Sequence, residues 1–346
     1  MPSPNSTSNP WLTLPSHSAL VNIGKASLYA SIAGPIPTTS TLTATPPPLT
    51  IIEAGLGDCS TTWLPTFRLL SRHARVLTYD RSGFGQSTDA PADEALTATQ
   101  RVKDLRALLK ATGLSPPYVL VGHSYGGALV REFLRQTQEA EGGKDLDDVV
   151  GMVIVDAMTC PPTRDIPDSA GELFAAEGDD AYAHVVGRDT NHVYSDEEWA
   201  VVQATEKHNE AAAAREDEHA NASTNAVSEA MGYYRDSESG KCGFKTQPLG
   251  EHRLSCIFGS AGYDFRKFAE NAEKRGVGSA EARREFRGWT EYYVAQEVAD
   301  KRAALDLSRQ SRWVEAEGVA ATHNLHYTAP EVIVKEVLWA LGMEGV

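Results

Sequence analysis

Ser124 is the residue whose surroundings point most clearly to chemistry. It lies in Gly122-His-Ser124-Tyr-Gly126, directly after an apolar run that begins at Tyr118 and before a helix-compatible segment. A Gly-x-Ser-x-Gly pattern between a strand and a helix predicts a sharp turn that exposes the serine above a sheet. Gly122 and Gly126 leave room for neighbouring chain at such a turn. The segment therefore predicts a nucleophilic serine rather than an ordinary Gly/Ser turn.

A serine hydroxyl becomes a useful nucleophile only when a base removes its proton. The chain contains ten histidines, so composition alone does not select the base. His323 and His326 share one segment and have the HxxH spacing of a possible metal pair. No carboxylate or third ligand stands at a telling distance from them in the sequence, so we expect no metal at this pair.

The elements that must position these residues alternate between strands and helices. Residues 19–23 and 26–32 alternate in polarity around Gly24-Lys25 and predict an antiparallel hairpin. Further strands are predicted at 49–53, 76–80, 118–122, 149–156, 253–258 and 312–316. Helical patterns separate them, and another covers residues 330–341. This order predicts an α/β fold with a mostly parallel central sheet covered by helices on both faces.

A second unit is expected inside this core. After Pro161 the composition shifts to Ala, Glu, Asp and His, and Ser195-Asp-Glu-Glu198 has the form of a capping box. We therefore predict a helical cap over residues 160–250, with a partly disordered acidic segment as the alternative. Residues 19–159 and 251–346 form the predicted core. Residues 1–18 are rich in Pro, Ser and Asn and are predicted to form a flexible arm.

Composition excludes several classes of protein. The net charge of −15 and the absence of a Lys/Arg cluster argue against nucleic-acid binding. The four cysteines are widely spaced and form neither a zinc motif nor a disulfide framework. No basic and apolar leader and no run of eighteen apolar residues occurs, so a soluble cytoplasmic protein without membrane contact is expected. The sequence does not indicate an oligomeric state.

The chain resembles the α/β-hydrolase family over most of its length. The resemblance lies in Gly122-His-Ser124-Tyr-Gly-Gly127, in Asp80-Arg-Ser-Gly-Phe-Gly85 and in the strand and helix order. It extends to the C-terminal segment, where a histidine precedes the proline that opens the last helix. By its distance from Pro330, His323 matches the family's base, with His326 as its competitor.

The resemblance leaves two candidates for the acid that orients the base. Asp156 comes immediately at the end of a predicted strand, where a side chain can reach the site without a long loop. Asp264 lies six residues beyond Phe258, which is a looser spacing than the compact turn often found there. The sequence favours Asp156 and keeps Asp264 as the alternative.

Acyl transfer also requires donors for the developing oxyanion. The backbone amide of Tyr125, directly after the nucleophile, is one predicted donor. By resemblance, Leu56 in Ala54-Gly55-Leu56-Gly57 supplies the other. Relatives commonly have His-Gly where this chain has Ala54-Gly55. That departure affects how the loop is anchored but leaves the amide available.

The resemblance implies a serine esterase or lactonase that needs no metal or organic cofactor. The expected substrate is a small to medium apolar ester or lactone, because a cap encloses a pocket and excludes water. Two alternatives remain open. One is the same triad used for thioester hydrolysis, acyl transfer, cyclisation or C–C cleavage. The other is a non-catalytic receptor for small ligands on the same fold.

Overall fold

The computed structural model describes residues 9–36, 46–140, 148–160, 164–177, 181–236 and 238–344. Residues 1–8 of the predicted arm lie outside these ranges. The strands are β1 (Ser16–Asn22), β2 (Ser27–Ala33), β3 (Leu49–Glu53), β4 (Arg75–Tyr79), β5 (Tyr118–His123), β6 (Val149–Val155), β7 (Tyr233–Arg235), β8 (Cys242–Phe244), β9 (Arg253–Phe258) and β10 (Gln310–Glu315). The α-helices are α1 (Pro10–Thr13), α2 (Leu64–Leu70), α3 (Ala98–Thr112), α4 (Tyr125–Ala140), α5 (Ser169–Glu177), α6 (Ala181–Val186), α7 (Arg188–Asn191), α8 (Asp196–Ala230), α9 (Ala261–Arg275), α10 (Ala280–Ala303), α11 (Leu325–Thr328) and α12 (Pro330–Ala340).

Eight strands form the central sheet in the order β1-β2-β4-β3-β5-β6-β9-β10. β1 pairs with β2, and β2 with β4, in antiparallel register, whereas every other pairing is parallel. Ser124 directly follows β5 and Asp156 directly follows β6. Because parallel strands end at the same edge of a sheet, the topology brings both residues to one edge. The predicted hairpin and the mostly parallel sheet are confirmed.

Both faces of the sheet are buried under helices, as the continuous apolar strands predict. Leu120 and Val121 are neighbours on β5 and point to opposite faces. Leu120 belongs to a core cluster with Leu105 of α3 and Phe133 of α4. Val121 belongs to a second cluster with Ile333 of α12. The elbow that follows β5 is therefore held from both sides of the sheet.

The last ten residues of the predicted arm pack against the core. Asn9 caps α1 through its side chain, which also donates to the Thr112 carbonyl at 2.8 Å. Trp11 is buried, and the Arg75 guanidinium donates to the carbonyls of Trp11 and Leu14 at 3.0 and 2.8 Å. Strand β1 then begins at Ser16, three residues before the predicted boundary. An aromatic anchor and a buried arginine order a segment whose polar composition suggested flexibility.

Helices roof the carboxyl edge of the sheet. The predicted capping box at Ser195 opens α8, a single helix of 35 residues, which differs from the disordered alternative. The helices α9 and α10 also contribute to the roof, although their residues follow the predicted cap. Phe268 and Phe286 from these helices form one apolar cluster with Leu173 of α5. Within the described ranges, no helix combines the length and apolar character needed to span a membrane.

Candidate active site

Ser124 has the strained backbone of a nucleophile elbow. Its φ is +53°, in the left-handed region that a residue with a side chain rarely adopts. Its amide donates to the Val155 carbonyl at 3.0 Å, which ties the turn to β6. A Cβ on Gly122 would lie 2.4 Å from the Gly126 carbonyl oxygen, and one on Gly126 would lie 2.3 Å from the Glu53 carbonyl oxygen. Only glycine therefore fits at these two positions.

His323 and Asp156 are directly paired. His323 Nδ1 lies 2.7 Å from Asp156 Oδ2. The other carboxylate oxygen, Oδ1, accepts from the amides of Gly259 and Ser260 at 2.8 and 2.9 Å. It also accepts from Lys301 Nζ at 2.8 Å. Burial alone would raise the pKa of Asp156, but Lys301 and His323 outweigh it and hold this pKa well below its usual range.

Asp264, the alternative acid, has a different contact with the same histidine. Its Oδ2 accepts from the backbone amide of His323 at 2.8 Å and from the Thr322 hydroxyl at 2.7 Å. Burial raises the pKa of this carboxyl. In this arrangement Asp264 fixes the backbone of the histidine loop, while the imidazole is oriented by Asp156.

Leu56 and Tyr125 line the same cavity as the serine. Ser124, His323 and Asp156 line the same cavity, whose volume is about 250 Å³. Tyr125 is the first residue of α4, so its amide lacks an intrahelical partner. The structure thus brings together the five residues that the sequence singled out.

An arginine anchors the loop that carries Leu56. Arg81 donates to the carbonyls of Ala54 and Gly55 at 2.8 and 2.6 Å. Glu216 of α8 binds the same guanidinium through two hydrogen bonds of 2.9 and 2.8 Å. This chain has Ala54 where relatives commonly have a histidine, and the buried ion pair holds the loop in its place. The sequence offered no signal for it beyond a charged residue in a long helix.

Lys301 is a second residue that sequence reasoning missed. Its ammonium is 3% exposed and also contacts Glu297 Oε2 at 2.9 Å, one turn earlier on α10. Glu297 in turn accepts from the Ser260 hydroxyl at 2.9 Å. A Glu-x-x-x-Lys pair on a helix usually indicates a solvated face. Here the pair is buried against Asp156.

His326 does not contact Asp156 but lies in a buried cluster with Asp58 and His123. Asp58 Oδ2 is 3.3 Å from His326 Nε2 and 3.7 Å from His123 Nδ1. The other nitrogen of His123, Nε2, lies 2.9 Å from the carbonyl oxygen of His323. Burial lowers the pKa of both imidazoles, that of His326 to about 4. The sequence had offered no carboxylate near the HxxH pair, because Asp58 comes from the distant Leu56 loop.

The fold and this site define the class of protein. The model of the α/β-hydrolase fold family matches residues 47–252, and the chain belongs to that family.

Individual relatives resemble the chain at lower identity. An AB hydrolase superfamily protein of Gibberella zeae is 27% identical, with 92% of each chain covered. The "Probable transporter efuK" of Hormonema carpetanum is also 27% identical and covers 96% of this chain, which spans only 44% of that protein's length. Among solved structures, the 2-hydroxy-6-oxo-6-phenylhexa-2,4-dienoate hydrolase of Rhodococcus sp. strain RHA1 gives a TM-score of 0.55 at 13% identity, covering 94% of this chain and 99% of that one. That similarity concerns the fold alone.

Proposed function

We propose that the protein is a serine hydrolase that cleaves a carboxylic ester or lactone through an acyl-enzyme on Ser124. The observation that carries the proposal is the 2.7 Å pair of His323 Nδ1 and Asp156 Oδ2 beside a cavity that Ser124, Leu56 and Tyr125 also line. A strained nucleophile, an oriented imidazole and two candidate amide donors are the parts that acyl transfer requires.

The chemistry follows from this arrangement. Since Nδ1 of His323 faces a carboxylate and carries its proton there, Nε2 is left as the base for the Ser124 hydroxyl. The serine oxygen attacks the acyl carbon, and the backbone amides of Leu56 and Tyr125 donate to the oxyanion. The imidazolium then protonates the leaving alkoxide. Water, activated by the same imidazole, attacks the acyl-enzyme and releases the acid.

The cavity supports a small substrate that carries no negative charge. The cavity volume of about 250 Å³ lies just below the usual range of ligand pockets and favours a short acyl group. Phe265, Tyr182 and Tyr293 supply aromatic surface, whereas Asp217 and Asn221 of α8 supply polar groups. The carboxylate of Asp217 disfavours an anionic substrate.

The test combines active-site labelling with a substrate panel. A fluorophosphonate probe should label the wild type and fail to label Ser124→Ala, while the exposed control Ser18→Ala should label normally. Esters of increasing acyl length and lactones of increasing ring size should be hydrolysed only by the proteins that label. In ¹⁸O-labelled water the acid product should acquire the label, which separates hydrolysis from acyl transfer.

Two results would contradict the proposal. Equal labelling of wild type and Ser124→Ala would mean that another residue is the nucleophile. A folded wild type that neither labels nor turns over any member of the panel would favour the non-catalytic receptor.

A further inference from the structure

The second buried histidine, His326, has no role in the proposed serine chemistry. It is 1% exposed, and among the described residues neither of its ring nitrogens makes a well-aligned hydrogen bond, although Nε2 lies 3.3 Å from Asp58 Oδ2. Its ring stacks on Trp63 with centroids 5.0 Å apart, which fixes its plane. Burying an imidazole without a well-formed hydrogen bond costs free energy, so the position of His326 requires an explanation.

Asp58 and His123 complete its surroundings. His123 Nε2 faces the carbonyl oxygen of His323, which can only accept, so that nitrogen carries the proton. In the neutral ring Nδ1 is then a bare lone pair, and it faces the Asp58 carboxylate at 3.7 Å without a hydrogen-bond partner. Two acceptors facing each other indicate that a cation belongs between them.

The convergence of three atoms distinguishes a metal ion from a proton. Asp58 Oδ2, a nitrogen of His123 and a nitrogen of His326 all lie within 4.8 Å of one another. A proton bridges two atoms, whereas a metal ion binds all three. Zinc bonds of about 2.0–2.1 Å in a tetrahedron separate neighbouring ligand atoms by about 3.3 Å. The distances from Asp58 Oδ2, 3.3 Å to His326 and 3.7 Å to His123, match that separation.

We propose that Asp58, His123 and His326 bind one divalent transition-metal ion, for which Zn²⁺ is the best match. Two imidazoles and a carboxylate are ligands that zinc accepts, and water can take the fourth position.

The surrounding groups fit the proposed site. The hydrogen bond from His123 to a backbone carbonyl is the support that metal-bound histidines commonly have. Tyr327 donates to Glu206 at 2.7 Å and lies 3.3 Å from Asp58 Oδ1, so Oδ2 remains for the metal. A cavity of about 610 Å³ lined by Asp58, Glu206 and Arg188 provides a path for entry.

The ion would join three loops of the proposed active site. Asp58 lies two residues after Leu56, His123 directly precedes Ser124, and His326 follows His323 by three residues. A single metal would therefore fix the oxyanion loop, the elbow and the histidine loop relative to one another. Its role is structural, because none of its three ligands takes part in the proposed proton transfers.

The test uses the full chain, stripped with a chelator and transferred to metal-free buffer. Titration with Zn²⁺ against a chromophoric chelator should give one tight equivalent. His326→Gln and Asp58→Asn should each weaken binding by about a hundredfold or more, whereas the exposed control His208→Gln should bind like the wild type. A hundredfold excess of Zn²⁺ over its Kd should raise the unfolding temperature of the wild type by on the order of 5 °C.

Two measurements on the wild type keep the proposal testable if a variant fails to fold. X-ray absorption of the zinc-loaded protein should show two imidazoles and oxygen at about 2.0 Å. Cobalt substitution should give the intense visible absorption of a tetrahedral site. Three results would overturn the metal proposal. They are the absence of stoichiometric binding, binding by His326→Gln as tight as that of the wild type, and a doubly protonated His123 in nitrogen NMR of zinc-treated protein. These readouts do not depend on esterase activity, so they separate this proposal from the proposed function.

Discussion

Replacing Lys301 with methionine should move the acid limb of the kcat/KM profile to higher pH. Lys301 Nζ binds Asp156 Oδ1 at 2.8 Å while His323 binds Oδ2 of the same carboxylate at 2.7 Å. The ammonium therefore opposes a second positive charge on the imidazole. Without it, Asp156 has no competing cation and stabilises an imidazolium more strongly, so activity should appear only at higher pH.

The size of this effect follows from the geometry. Lys301 and His323 bind opposite oxygens of the Asp156 carboxylate, at 2.8 and 2.7 Å, so the carboxylate lies between the ammonium and the imidazole. Two unit charges about 7 Å apart interact by about 2 kcal/mol at an effective dielectric constant of about 20. Since about 1.4 kcal/mol corresponds to one pH unit, the limb should rise by between roughly one and two units.

The assay is the pH dependence of kcat/KM on an ester found by the proposed panel. Lys301→Arg keeps the charge and should leave the limb near its wild-type position. The double variant Lys301→Met, Glu297→Gln removes a neighbouring carboxylate together with the ammonium, so it should be more stable than the single variant and show a smaller upward shift. An unchanged or lowered limb in a folded Lys301→Met protein would refute the reasoning, since no structural defect alone produces this directional shift.

Three further predictions follow from other buried carboxylates. Asp156→Asn should lower kcat by about a thousandfold or more in steady-state assays, whereas Asp264→Asn, whose amide oxygen can still accept from the His323 amide, should keep most of it; the reverse order would make Asp264 the acid. Glu216→Gln removes the carboxylate that pairs with two buried arginines, Arg81 and Arg101, and should cost about 3 kcal/mol in urea unfolding, and a loss near zero would contradict this. Burial raises the pKa of Glu53 to about 7, so its contribution to stability is full below about pH 4.5 and is lost as the pH rises through 7. At pH 9 the free energy of unfolding of Glu53→Gln should therefore exceed that of the wild type by up to about 3 kcal/mol, and at pH 4 it should show no such gain. An equal gain at both pH values would exclude ionisation as the cause.

Features set by local sequence could be predicted closely. The strand before Ser124 is a continuous apolar run. Glycine is required at the two positions around the serine because a Cβ there would clash with nearby backbone atoms. The start of α8 is encoded by four consecutive residues at Ser195. Apart from Gly126, whose steric limit comes from the distant Glu53 carbonyl, the signal and the structure that it determines lie within a few positions of each other.

Pairings between distant elements could not be predicted in the same way. Lys301 and Asp156 are separated by 145 positions, and Arg81 and Glu216 by 135. Lys301 and Glu216 each have a common surface interpretation, and only the topology makes them the partners of Asp156 and Arg81. The helices α9 and α10 illustrate the same limit, because an amphipathic pattern indicates that a face is buried but not which layer covers it.

The role of α8 shows why the roof and the reaction site form one unit. Glu216 holds Arg81, which in turn holds the carbonyls of the loop that carries Leu56. One residue further, Asp217 turns toward the cavity, where Asn221 also lies. Adjacent positions on this helix thus contact the loop of the proposed oxyanion donor and the proposed substrate. A helix that pairs with two buried arginines, Arg81 and Arg101, cannot swing away freely, since opening would separate three buried charges. Substrate entry in this protein therefore should not depend on α8 swinging away, and selectivity can change at Asn221 without disturbing the contact of Glu216 with Arg81.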